Sequence, residues 1–152
     1  MISPFSNKQL RSIHDPTTGG YWFSVVDLCA ILTDSDHKTA RNYWKRLKYK
    51  LENNQVVTVG NHLKLKSPNG KYYFTEVVDL KTLVRLIQTC PSPKANPYRL
   101  WLADILFDGI SITEVEKELA KLGEASATEV VEKYMGKEPY ARLTVHKENL
   151  LQ

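Results

Sequence analysis

Lys38, Arg41, Lys45 and Lys48 recur at the three- and four-residue spacing that aligns side chains along one side of a helix. Arg46 and Lys50 flank them, and no Asp or Glu stands between Asp36 and Glu52, so the stripe has no local counter-charge. Such a surface suits phosphate oxygens, which Lys meets as a point charge and Arg as a planar fork. Asn42 lies among them; with Arg41 and Arg46 it belongs to the side-chain types that hydrogen-bond to base edges. A second basic group, Lys64, Lys66 and Lys71, brackets the turn formers Ser67-Pro68-Asn69-Gly70. The bland alternative is a solvated charged face, which is what most charge runs are.

Other chemistry has less behind it. The four histidines, His14, His37, His62 and His146, show no metal-ligand spacing, and no glycine-rich phosphate loop occurs. Cys29 falls on the apolar side of its segment, where a buried, inert thiol is the commoner state. Asp34 and Asp36 are a candidate acid–base pair, but acidic residues just ahead of a helix more often cap it. The expectation is a protein with no catalytic residues, no metal and no cofactor: not an enzyme.

The elements that position the basic residues can be read from pattern. Residues 9–14 and 21–23 flank the turn-rich Asp15-Pro16-Thr17-Thr18-Gly19-Gly20 and predict a β-hairpin. Ser24 with Asp27 three residues on resembles a capping box, and Val25, Leu28, Cys29 and Leu32 follow on one helical face. The cationic helix spans His37 to Glu52, with Ala40, Trp44, Leu47 and Leu51 as its apolar face. Only about four residues separate the two helices, which suits a helix-turn-helix pair. Val56 to Val59, His62 to Lys66 and Lys71 to Phe74 predict strands of a second hairpin, and the two features together predict a winged arrangement. A helix is expected from Thr75-Glu76 to Cys90, stopped by Pro91 and Pro93. Another is expected over Tyr98–Phe107 behind Pro97. Ile112, Val115, Leu119 and Leu122 make a further stripe, followed by a short helix over Ala125–Met135 and a strand over Tyr140–His146. The fold class is α+β.

The chain has 152 residues, 42% of them hydrophobic, and a net charge of +4. That charge is unevenly spread. Residues 1–106 hold 15 Lys and Arg against 8 Asp and Glu, a net of +7; residues 107–152 hold 6 against 9, a net of −3. The division points to a basic domain over 1–107 and an acidic helical extension over 108–152, packed on that body or on a second subunit. Cys29 and Cys90 offer no disulfide framework, and neither a secretory signal nor a membrane-length apolar run is visible. A reduced, cytoplasmic protein is expected.

The order of certain blocks makes a resemblance specific. Tyr-Trp-Phe-Ser-Val-Val-Asp-Leu at 21–28, Ala-Ile-Leu-Thr-Asp-Ser at 30–35 and Arg-Asn-Tyr-Trp-Lys-Arg-Leu-Lys at 41–48 come first. Leu-Lys-Leu-Lys-Ser-Pro-Asn-Gly-Lys at 63–71, Leu-Val-Arg-Leu-Ile-Gln at 83–88, Pro-Ser-Pro-Lys-Ala at 91–95 and Tyr-Arg-Leu-Trp-Leu-Ala at 98–103 follow. Residues 9–106 thereby resemble the N-terminal domain of the BRO family, found in phage antirepressor-like and viral proteins. The resemblance implies a small α+β domain that binds DNA, often in phage or prophage regulators, with no cofactor. It does not extend to residues 107–152. The expected partner is DNA, with a homodimer or a repressor protein as further candidates. The expected contacts are Lys38, Arg41, Asn42, Lys45, Arg46 and Lys48 from the helix and Lys64, Lys66 and Lys71 from the hairpin. A rival of another class is a protein-interaction module that binds a repressor or host factor through the C-terminal segment.

Overall fold

The computed structural model describes residues 3–55 and 60–123. The strands are β1 (Ser12–His14), β2 (Tyr21–Ser24), β3 (Gly60–Lys66) and β4 (Tyr72–Val78). They form one antiparallel sheet in the order β1-β2-β4-β3. The first turn is built by Asp15, whose Oδ1 accepts from Thr17 N at 2.9 Å and whose Oδ2 accepts from the indole of Trp22 at 3.1 Å. The second turn, Ser67 to Gly70, places Gly70 at φ 85°, a left-handed conformation that favours glycine. Arg11 Nη1 donates to the Lys66 carbonyl at 3.1 Å, so the two sheet edges are drawn toward each other. Ile13, Trp22, Leu63, Leu65 and Val77 fill the space this curl encloses.

Two expectations are corrected here. The segment from Thr75 to Val78 is strand, not the start of a helix. Thr75 and Val77 pair with Leu63 and Asn61 of β3, and Val77 and Val78 pair with Ser24 and Phe23 of β2. The helix begins only behind Asp79, whose carboxylate accepts from Thr82 N at 2.8 Å. The β3–β4 hairpin is therefore half of the central sheet and not a free wing.

The helices are α1 (Val25–Thr33), α2 (His37–Asn53), α3 (Leu80–Thr89), α4 (Asn96–Asp108) and α5 (Ile112–Ala120). Ser24 Oγ caps α1 by accepting from Asp27 N at 3.2 Å. The reciprocal half of the capping box is absent, because the Asp27 carboxylate turns to Arg11. Asp34 ends α1 in the left-handed region at φ 51°, and Asp36 caps α2, accepting from Thr39 N at 2.8 Å. The two acidic residues thus serve opposite helix ends.

The main core joins α1, α2, α3 and α4 to one sheet face through Phe23, Leu28, Leu32, Trp44, Leu83, Ile87 and Trp101. Phe5 packs edge-on against Tyr98 and Trp101, with ring centroids 4.7 and 5.1 Å away. From α5, Val115 and Leu119 enter this same core, while Ile112 stays exposed. Gly123 then lies so close against the backbone of Leu10 and Arg11 that a Cβ there would overlap it. Strand Val56–Val59, helix Ala125–Met135 and strand Tyr140–His146 lie outside the described residues. Among the described residues no helix is long and apolar enough to cross a membrane.

Candidate nucleic-acid interface

Helix α2 owes its orientation to four buried residues, Ala40, Trp44, Leu47 and Leu51, spaced three and four apart. Burying that stripe turns Lys38, Arg41, Asn42, Lys45 and Arg46 outward, and all five are exposed. None of the four cations among them forms an ion pair with another described residue. Tyr49 shares this outer face and is 68% exposed, whereas Tyr43 turns inward, its hydroxyl 3.2 Å from Cys90 Sγ.

A groove of about 930 Å³ separates α2 from the β3–β4 hairpin. His37, Arg41, Trp44 and Lys45 line it from the helix; His62, Lys66, Phe74 and Glu76 line it from the hairpin. Strand register explains the hairpin side, since His62 lies opposite Glu76 and Lys64 opposite Phe74. Of the nine residues expected at the interface, Arg41, Lys45 and Lys66 come together in the groove. Lys38, Asn42 and Arg46 lie on the outer helix face. Lys71 is exposed at the hairpin turn, and the Lys64 ammonium sits over the Phe74 ring, 5.2 Å from its centroid. Lys48 is placed differently: its Nζ donates to Glu76 Oε2 at 2.9 Å.

Beneath the groove lies an ionic centre built from three parts of the chain, Arg11 ahead of β1, Asp27 in α1 and His37 in α2. Arg11 Nε and Nη2 donate to Asp27 Oδ2 and Oδ1 at 2.8 and 2.9 Å, and Arg11 N donates to Oδ2 at 2.9 Å. His37 Nε2 lies 2.9 Å from Asp27 Oδ1. Burial alone pushes the Asp27 carboxyl up, but the Arg11 bonds and charge, helped by His37, outweigh it and hold the group below its ordinary value. This centre fixes the start of α2 against α1, and through Arg11 against the end of β3. Sequence reading missed it, as it missed Trp44 and Glu76 as partners. One signal was present: Glu76 is the sole acidic residue between Glu52 and Asp79.

Burial pushes the Cys29 thiol up to about 12, so it is held neutral and away from solvent. No cluster of three or more His, Cys, Asp or Glu able to hold a metal occurs among the described residues. What the arrangement offers chemically is a fixed array of donors and positive charge on a helix and a neighbouring sheet edge.

No curated protein and no solved structure matches the chain. The model of the BRO family N-terminal domain matches residues 9–108. That span takes in the sheet, the cationic helix and the groove between them, and on it the chain belongs to the BRO family.

Proposed function

We propose that this is a non-enzymatic DNA-binding protein of the phage or viral BRO type, acting in transcriptional regulation. It meets DNA through the outer face of α2 and the groove beside it. The observation that carries this reading is the set of exposed cations Lys38, Arg41, Lys45 and Arg46, held on a helix anchored by one buried stripe and in no ion pair with another described residue. In this reading the Lys residues contact phosphate, and Arg41, Asn42 and Arg46 are the candidates for base edges. Lys66 and Lys71 extend the positive surface onto the hairpin. The antirepressor role is the narrower form of the same reading.

The test is DNA affinity of an Arg41→Ala/Lys45→Ala variant beside a Lys81→Ala/Lys94→Ala control on exposed positions away from the groove. The groove variant is expected to bind at least about tenfold more weakly, a loss of about 1.4 kcal/mol, with the control unchanged. Equal losses in both would show that position on the fold does not matter.

The protein-interaction reading keeps one observation. Leu100, Leu106 and Phe107 on α4 are 66%, 83% and 92% exposed. The stripe that first suggested it is spent on the core, since Val115 and Leu119 are buried. A repressor or a second copy would then be held after nuclease treatment by the full chain and lost by Phe107→Asp.

A further inference from the structure

Two carboxylates line the groove: Asp27, which Arg11 holds, and Glu76, both of whose oxygens are engaged by α2. Trp44 Nε1 donates to Oε1 at 2.9 Å, and Lys48 Nζ donates to Oε2 at 2.9 Å. Trp44 and Lys48 stand one helical turn apart, so a single carboxylate grips the helix along its axis. Glu76 lines the groove, and the side chains of Lys48 and Glu76 are 39% and 22% exposed, so the pair stands open to solvent at the groove's side. A carboxylate at that point repels phosphate, and a lysine already 2.9 Å from an anion has little attraction left for a second one.

Resting on the reading of this groove as a nucleic-acid interface, we propose that Glu76 is a specificity-determining residue. It withdraws Lys48 from the phosphate-binding set and bars phosphate from the Trp44–Lys48 turn of α2. Phosphate contacts then fall to the cations around it, Arg41, Lys45 and Lys66. Because phosphate contacts carry no sequence information, withholding one lowers indiscriminate affinity and leaves base contacts a larger share of the whole. The same grip holds α2 at a fixed distance from the hairpin, so the two walls act as one body.

Four proteins decide the matter on a mixed-sequence duplex DNA: the wild type, Glu76→Gln, Lys48→Met and the double variant. Glutamine keeps an acceptor for Trp44 and releases Lys48. Glu76→Gln is expected to bind more tightly, with a plot of log K against log salt steeper by about 0.9, the increment of one added phosphate contact. Lys48→Met alone keeps the wild-type slope, and the double variant returns to it. A Lys48→Met slope shallower by about 0.9, or a Glu76→Gln slope equal to that of the wild type, overturns the assignment. If Glu76→Gln fails to fold, the Lys48→Met arm decides alone. A wild-type chain with no salt-dependent binding fails differently: it removes the interface reading itself.

Discussion

Asp27 accepts three hydrogen bonds from Arg11 while its side chain is only 2% exposed. Replacing one member of such a pair leaves the other charged, buried and without its partner. Asp27→Asn is therefore expected to destabilise the domain by about 3 kcal/mol, read from urea unfolding midpoints. The pH dependence has a definite sign. With the folded-state value lowered, this carboxylate's contribution is complete above its unfolded value of about 4 and is lost as pH falls through the lower folded value. Wild-type stability should thus fall in that acid window, and Asp27→Asn should flatten the fall. Cys29 makes a second prediction at this scale. Being buried and held neutral, it should resist a thiol reagent at pH 8 until denaturant is added; reaction in the native protein would contradict the assigned burial. Asp27 also marks a limit of legibility. Its spacing from Ser24 announced a cap, and Ser24 does cap α1. Its real charge partner lies sixteen residues back, and nothing in local pattern encodes a contact across that separation.

At the scale of elements, what was legible was whatever local periodicity decides. The stripe Ala40, Trp44, Leu47 and Leu51 fixed both the extent of α2 and which of its faces is wet. What was not legible was decided by distant strands. Thr75-Glu76-Val77-Val78 continues a strand because β2 and β3 stand on either side to pair with it; the apolar spacing of the following helix masked that boundary. Helix α5 shows the same lesson for domain limits. A fall in charge and Gly109 marked off an extension expected to pack on the body or on a second subunit; its described part, α5, enters the core through Val115 and Leu119. Leu119 is 1% exposed, so Leu119→Ala is expected to cost about 3 kcal/mol in the same unfolding experiment. A cost below about 0.5 kcal/mol would mean that α5 is not part of the folded body.

For the whole molecule, the net charge of +4 conceals the layout that matters. A cationic helix face and a basic hairpin enclose one groove, anchored below by Arg11, Asp27 and His37 and pinned at one side by Glu76. The family match spans this entire assembly, residues 9–108. Of the nine expected contacts, Lys38, Arg41, Asn42, Lys45 and Arg46 are exposed, as the apolar stripe of α2 implied, whereas Lys48 is half-buried; its pairing with Glu76 depends on a strand 28 residues away. The measurement that bears most directly on the account is the dependence of DNA affinity on salt for the wild type and Arg41→Ala/Lys45→Ala. The account predicts a linear fall of log K with log salt at about −0.9 per phosphate contact, shallower in the variant by the contacts removed. A flat response in the wild type, or identical slopes in the two proteins, would contradict it.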